Sequence, residues 1–160
     1  MLIDSNFIDP ATCVIEQVSD HRLPLVNKFY SDCNYLVNCG RLDRVYSLQC
    51  HRKIIAAARL VPQVSGDFLL RNLCVAPDVR NQGIARYLVQ EMLGLLRLDT
   101  TSSDVSLACY CFALPHLQNF YLSMGFKNLT IDEVPPDIAE THMRNCARKR
   151  GWILMGFVIS

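Results

Sequence analysis

The stretch Leu73–Leu88, which reads L-C-V-A-P-D-V-R-N-Q-G-I-A-R-Y-L, decides how the rest of the chain is interpreted. It starts like the end of a β-strand, Pro77 turns the chain, and Gly83 precedes residues with helical spacing. The first turn of a helix presents unpaired N–H groups and a partial positive charge, and phosphate groups bind there. Because Gly83 has no side chain, a pyrophosphate can approach its backbone closely. The residues therefore predict either an anion site or an ordinary strand–turn–helix in which Gly83 serves packing.

Alternation and turn signals on both sides of this stretch predict a sheet. We predict strands over Ala11–Val18, Arg44–Cys50, Ile54–Val61, Phe68–Val75, Asp104–Cys111, Phe126–Ile131 and Trp152–Ile159. Helices are predicted after Ser19, after Pro77, over Leu114–Met124 and from Pro135 to Gly151. The three alanines of Ile54–Val61 also suit a helix. The order β-α-β-β-β-α-β-α-β-α-β predicts a single α/β domain over residues 1–160, with a mixed sheet and helices on both faces.

Composition narrows the class of protein. A chain of 160 residues that is 51% hydrophobic and 19% charged suits one folded domain. A net charge of +1 gives no general attraction for nucleic acid or anionic membranes. The longest apolar run, Gly151–Ile159, is too short to span a membrane, and the first ten residues carry no basic residue. We therefore expect a cytoplasmic protein without a membrane partner.

The eight cysteines show no C-x-x-C pair and no zinc-ligand spacing. Cys109 and Cys111 alternate along one strand, where neighbours on the same face are poorly placed to bond each other. We expect reduced, half-buried thiols and no metal site.

The opening stretch resembles motif A of the GCN5-related N-acetyltransferase (GNAT) superfamily. Its core, Q/R-x-x-G-x-G/A, is matched by R-N-Q-G-I-A at Arg80–Ala85. Phe120–Phe126, F-Y-L-S-M-G-F, is similar to motif B, and one helix and one strand separate the two motifs, as in the family. The resemblance covers the whole chain in element order and is specific over Leu70–Leu98 and Cys111–Phe126. It implies the GNAT fold, with a mostly antiparallel, twisted sheet of about six to seven strands.

The resemblance also implies that acetyl-CoA is the cosubstrate. The backbone of the strand end is expected to pair with the pantetheine arm, and the amides of Gln82–Arg86 are expected to hold the pyrophosphate. An N–H group near Val75 is the candidate to polarise the thioester carbonyl. Cys74 is expected to be a buried structural thiol. The implied cofactor-binding residues are Leu73, Cys74, Val75, Arg80, Asn81, Gln82, Gly83, Ile84, Ala85 and Arg86.

Tyr121 is the candidate catalytic residue. When an amine attacks a thioester, a thiolate leaves, and a phenol with an ordinary pKa of about 10 is suited to protonate it. The alternative is an aromatic packing residue with its hydroxyl at the surface.

The residue that takes the proton of the amine stays open. Many relatives carry a glutamate in the fourth strand, but Phe68–Val75 has none, and Arg71 and Asn72 stand there. A second departure is Leu114, where relatives often have an asparagine seven residues before the tyrosine. The candidates for a base, directly or through water, are His51, Asp67, His116 and Glu133.

The sequence gives the least information about the acceptor, the amine that receives the acetyl group. The basic run Arg144, Arg148, Lys149 and Arg150 suits the C-terminal end of a helix, and an acidic acceptor or RNA would also suit it. A helix between the last two strands is loosely similar to amino-acid N-acetyltransferases, including the acetyltransferase domain of N-acetylglutamate synthase. We expect an enzyme that acetylates a small-molecule primary amine or amino acid, without a nucleic-acid partner. The alternatives are a protein N-terminus or lysine, an aminoacyl-tRNA, and a non-catalytic acyl-CoA-binding module; the oligomeric state is open, a homodimer included.

Overall fold

The structure, a computed structural model, describes residues 8–100 and 106–159. Its strands are β1 Val14–Gln17, β2 Arg44–Cys50, β3 Lys53–Pro62, β4 Phe68–Val75, β5 Leu107–Ala113, β6 Lys127–Asn128 and β7 Ile153–Ile159. Its helices are α1 Leu23–Asp32, α2 Ile84–Thr100, α3 Gln118–Leu122 and α4 Pro136–Ala147. The order of strands and helices is the one that the sequence predicts.

The bounds of the elements follow local chemistry. The segment predicted as Ile54–Val61 is the strand β3, and its three alanines are fully buried. β1 is shorter than predicted because Pro10–Thr12 form a 3₁₀ turn capped by the Asp9 side chain. β6 is also shorter, since Ile131–Glu133 form a 3₁₀ turn closed by a capping box. The predicted start of β5 at Asp104 lies outside the described residues.

The seven strands form one sheet in the order β1-β2-β3-β4-β5-β7-β6. β1/β2, β2/β3, β5/β7 and β6/β7 are antiparallel pairs, and β4/β5 is a parallel pair that includes Phe68↔Cys109 and Leu69↔Tyr110. The parallel pair requires a crossover connection, which α2 provides. The prediction of a mixed, mostly antiparallel sheet is confirmed.

The described chain divides into two compact units. The N-terminal unit contains the described residues up to 61 together with Arg71–Gly94, and the C-terminal unit contains Pro62–Leu70 and the described residues from 95 onward. Fully buried side chains of the N-terminal unit are Val26, Tyr30, Tyr46, Leu48, Leu60 and Leu88. Those of the C-terminal unit include Leu96, Ile138 and Met155. A single domain over residues 1–160 stays a prediction.

The described residues contain neither a helix that could span a membrane nor a cluster of metal-binding side chains. None of the helices there has the length and apolarity needed to cross a membrane. The same residues hold no group of three or more His, Cys, Asp or Glu side chains placed to bind a metal ion. All eight cysteines are free thiols.

Candidate active site

The start of α2 leaves its backbone accessible. The N–H of Tyr87 donates to the Gly83 carbonyl at 3.1 Å, so the first helical hydrogen bond closes on Gly83. The amides of Ile84 and Ala85 precede that bond and cannot be paired within the helix. Gly83 has φ +77°, and among the described residues beyond its two chain neighbours no atom lies within 4 Å of a Cβ built on it. Open space therefore lies over the positive end of a 17-residue helix, which is the arrangement that an anion requires.

The loop before α2 uses two predicted side chains for its own structure. Arg80 Nε donates to the Val75 carbonyl at 3.0 Å, which ties the loop back to the end of β4. Gln82 Oε1 accepts a hydrogen bond from the Ile8 amide at 2.8 Å. Asn81 takes a left-handed conformation with φ 63°. An anion at this place would therefore be held mainly by backbone amides.

The remaining predicted cofactor residues lie on β4 and in the first turn of α2. Leu73 and Val75 are partly exposed on β4, and Cys74 between them is buried. Burial raises the pKa of the Cys74 thiol to about 12, and the neighbouring thiol of Cys33 acts in the same direction. Cys74 is thus a neutral thiol at neutral pH and a poor nucleophile. Ile84 is buried, and Ala85 and Arg86 are partly exposed.

β4 changes its backbone conformation at Asn72. This residue has φ 57°, the left-handed region, so the strand is bent where its predicted cofactor-binding part begins. A left-handed L-residue costs about 1–2 kcal/mol, and asparagine is one of the few that adopt it regularly. Sequence reasoning noted Asn72 only as a place without a carboxylate. An asparagine inside an otherwise apolar strand was the available signal for a bend.

A polar network surrounds Asn72, and sequence reasoning missed it. Tyr30 Oη donates to the Asn72 carbonyl at 2.8 Å, and Arg59 Nη1 donates to Asn72 Oδ1 at 2.9 Å. Arg59 also donates through Nε and Nη2 to Asp43 Oδ2, at 3.1 and 2.8 Å. The same Asp43 oxygen accepts the Gly40 amide at 2.9 Å. Burial raises the pKa of Tyr30, so its phenol stays a hydrogen-bond donor.

Tyr121 lies on α3 in the C-terminal unit. It is 6% exposed, and its ring makes edge-on contacts with Phe120 and Phe126 at centroid distances of 5.1 and 5.3 Å. Gly125, with φ +97°, follows the helix in the left-handed conformation that ends it. Tyr121 therefore packs as an aromatic core residue, as the alternative interpretation of this residue expects. The catalytic role of Tyr121 stays a prediction.

A cavity of about 410 Å³ lies within the N-terminal unit. Leu25 and Phe29 of α1 line this cavity, and so do residues 76–78, which directly follow β4 in the chain. The cationic side chains on its lining are Arg22, Lys28, Arg52 and Lys53, and the acidic ones are Asp32 and Asp78. Arg22 pairs with Glu16, and Lys28 pairs with Asp32.

The acetyltransferase (GNAT) domain profile matches residues 41–128, more than half of the chain. The chain belongs to the GNAT acetyltransferase family. The matched segment contains β2 to β6, and therefore both the Gly83 loop and Tyr121. A search of curated protein sequences finds no match.

Solved structures show the same fold. N-acetylglutamate synthase from Neisseria gonorrhoeae, crystallised with coenzyme A and N-acetyl-glutamate, aligns with a TM-score of 0.67 at 14% identity, over 92% of this chain and 35% of the synthase. The GNAT chain thus spans about a third of that protein. The ribosomal-protein-S18-alanine N-acetyltransferase from Escherichia coli aligns with a TM-score of 0.61 at 20% identity, over 92% of this chain and 94% of the enzyme. Escherichia coli ElaA aligns with a TM-score of 0.60 at 18% identity, over 90% and 98%.

Two of the four candidate bases of this GNAT chain hold backbone in place. Asp67 accepts the Ala108 amide at 2.9 Å. Glu133 accepts the Thr130 amide at 2.9 Å and its hydroxyl at 3.0 Å, and these bonds lower the pKa of Glu133. His51 and His116 are exposed, in a turn and in a 3₁₀ turn. The geometry therefore argues against Asp67 and Glu133 as the base.

Proposed function

We propose that this GNAT chain is an acetyl-CoA-dependent N-acetyltransferase that transfers the acetyl group directly to a primary amine of a small molecule or amino acid. The observation that carries the proposal is the open backbone at Gly83, at the positive end of α2, inside the segment that matches the family profile. All eight cysteines are free thiols, which is consistent with a protein that acts in the reducing cytoplasm.

The residues of the N-terminal unit fit coenzyme A. The backbone of Leu73–Val75 would pair with the pantetheine arm, and the amides of Gln82–Arg86 would hold the pyrophosphate. No described residue beyond the chain neighbours of Gly83 has an atom within 4 Å of a Cβ built there, which leaves room for a phosphate group. The N–H near Val75 is the group proposed to polarise the thioester carbonyl. When bound, acetyl-CoA supplies the activated acetyl group.

Direct transfer is favoured because Cys74 is a poor nucleophile. Burial and the pKa of about 12 keep its thiol protonated. In direct transfer the amine nitrogen bonds to the acetyl carbon, the carbon–sulfur bond breaks, and the amine loses a proton. We propose that the Tyr121 phenol gives its proton to the departing thiolate, for which an ordinary phenol pKa of about 10 is well matched. The proton of the amine passes to water or to a base whose identity stays open.

A small acceptor is favoured by the cavity of the N-terminal unit. Its volume of about 410 Å³ lies within the range of small-molecule sites. Its lining includes residues 76–78, which directly follow the strand proposed to hold pantetheine. The similar synthase was crystallised with an acetylated amino acid, which points to the same class of acceptor.

A protein N-terminus is the second candidate acceptor. It is favoured by the similarity to the ribosomal-protein-S18-alanine N-acetyltransferase, which extends over nearly all of both chains. The aminoacyl-tRNA alternative is favoured by the exposed cations that end α4. There Arg148 and Lys149 are exposed, and the Arg150 guanidinium lies 4.7 Å from the Trp152 ring centroid.

The proposal is tested by incubating the purified chain with acetyl-CoA and separate pools of amino acids, polyamines and peptides with free N-termini. Acetylated products are identified by mass spectrometry, because exposed Cys146 would contribute to a thiol assay. We expect saturable acetylation in one of the small-amine pools. Acetylation of peptides alone would move the acceptor class to proteins. Tight acetyl-CoA binding without any product would indicate a non-catalytic acyl-CoA-binding module.

A further inference from the structure

The bend at Asn72 is held by two side chains of the N-terminal unit, and a third side chain holds one of those two. Tyr30 on α1 binds its carbonyl, and Arg59 on β3 binds its side-chain amide. Asp43 fixes Arg59 in turn through a two-nitrogen contact to a single carboxylate oxygen. A left-handed L-residue persists only where its surroundings determine it, and the contacts from Tyr30 and Arg59 do so.

The network is shielded from water. Tyr30 is fully buried, and the Arg59 and Asp43 side chains are 17% and 9% exposed. Hydrogen bonds to charged groups gain strength at such places. The network is therefore a rigid attachment, unlike the exposed pair Lys28–Asp32, whose side chains are 72% and 64% exposed.

We propose that Arg59 is a positioning residue for acetyl transfer: it ties Asp43 to the Asn72 side chain and so holds the amides of Leu73–Val75 at the place where the thioester is polarised. The inference rests on the proposed function, because it assigns the backbone after Asn72 to the acetyl group. Arg59 itself does not touch the reacting atoms.

Only an arginine makes both attachments. Its Nε and Nη2 bind Asp43 while Nη1 binds Asn72. A lysine at the same place has one nitrogen, which cannot reproduce this planar fork. Asp43 also accepts the Gly40 amide. Arg59 therefore connects the segment after α1 with β4.

The expected kinetic effect lies in kcat. A displacement of reacting groups by about 1 Å can lower the rate about 100-fold. The pyrophosphate is proposed to bind at Gln82–Arg86, which the network does not contact in any of its hydrogen bonds. The affinity for acetyl-CoA is therefore expected to change less than kcat, with the loss confined to the pairing of Leu73–Val75 with the pantetheine arm. A role in stability alone would lower the melting temperature and leave kcat of the folded enzyme unchanged.

The test compares Arg59→Lys and Tyr30→Phe with Tyr35→Phe. Tyr35 contacts the Tyr30 ring at a centroid distance of 6.1 Å but does not bind Asn72, so Tyr35→Phe is the matched control. Steady-state kinetics with an acceptor found in the amine pools gives kcat and KM for acetyl-CoA, and calorimetry gives the acetyl-CoA affinity. Both network variants are expected to lower kcat by roughly 10- to 100-fold and to change the affinity by less than that, and the control is expected to match the wild type.

Asn72→Gly is expected to fold even if the other variants do not. Glycine adopts the left-handed conformation without strain, but it lacks the amide that Arg59 binds. It is expected to lower kcat in the same way. Wild-type kcat in Asn72→Gly and Arg59→Lys would overturn the inference while leaving the proposed function intact. A wild-type chain that neither binds nor uses acetyl-CoA would overturn the proposed function, and the inference with it.

Discussion

The two halves of β4 are built by different physical chemistry. Phe68, Leu69 and Leu70 are all buried, and the first two pair with β5. From Arg71 onward the strand is more exposed: Arg71 is exposed, Cys74 is buried, and the other three residues are partly exposed, with Asn72 left-handed. The boundary between the compact units falls between these halves, after Leu70. The first half is held by apolar burial, and the bend that opens the second half is held by hydrogen bonds to Tyr30 and Arg59.

The two halves of β4 are therefore expected to have different roles: the first half stabilises the fold, and the second half contacts the ligand. A half-strand with buried side chains on a paired backbone has little left to offer a ligand. A half-strand whose backbone is bent and anchored by side chains can present its amides in a fixed direction. Substitutions in the first half are therefore expected to change stability, and substitutions in the second half and in the proposed proton donor are expected to change the reaction.

The largest effect is expected for Tyr121→Phe. If the second half of β4 holds the thioester, loss of the proton donor is expected to lower kcat by about 10²–10⁴. The ring contacts with Phe120 and Phe126 remain, so the variant is expected to stay folded, which its melting temperature checks. Steady-state kinetics measures the effect. Tyr110→Phe, at another buried tyrosine of the C-terminal unit, is the control and is expected to keep its kcat. An unchanged kcat in Tyr121→Phe would remove this residue from the mechanism.

Leu69→Ala tests the first half. Removing a buried leucine side chain is expected to lower the free energy of unfolding by about 2–5 kcal/mol. Denaturant unfolding measures this loss. Below its unfolding transition the variant is expected to keep the wild-type kcat. A large loss of kcat in the folded variant would contradict the separation between the halves.

Asn72→Ala and Asn72→Gly sharpen the comparison at the bend. Both remove the amide that Arg59 binds, but only alanine is strained at φ 57°. The alanine variant is expected to be less stable than the glycine variant by about 1 kcal/mol. Denaturant unfolding of the pair measures the difference. Equal stability would show that the left-handed conformation is not retained.

The smallest effect concerns pH. Complete burial raises the pKa of the Cys109 thiol, opposite Phe68 on β5, from 9.0 to about 12. The folded state therefore favours the neutral thiol, and this stabilisation is complete below pH 9 and is lost as the pH rises toward 12. Between pH 8 and 10.5 the wild type is expected to lose unfolding free energy more steeply than Cys109→Ala. Exposed Cys146 provides the control Cys146→Ser, which is expected to follow the wild type. Parallel curves for all three would contradict the assigned cause.

The fold was predictable because apolar alternation and turn residues mark it directly. β2 and β4 match their predicted ranges, and the Gly83 loop lies before α2 as the motif implies. The network around Asn72 was not predictable, since Asp43, Arg59 and Tyr30 are far apart in sequence and no spacing links them. Arg80 and Gln82 were predicted as cofactor residues, but hydrogen bonds to Val75 and Ile8 that depend on tertiary structure engage their side chains. The acceptor site lacks a motif for the same reason.

The central claim, that the backbone at Gly83 receives acetyl-CoA, is tested most directly by thermal unfolding with and without the ligand. At about 100 times Kd, acetyl-CoA is expected to add about 2.7 kcal/mol of stability, or roughly 5–10 °C in Tm. Gly83→Ala strains the left-handed backbone and places a methyl group over it, so its ligand-induced shift is expected to be much smaller. Gly94→Ala, at an exposed glycine inside α2 with equal space around it, is the control and is expected to keep the full shift. The absence of a shift in the wild type at millimolar acetyl-CoA, or a full shift in Gly83→Ala, would contradict the account.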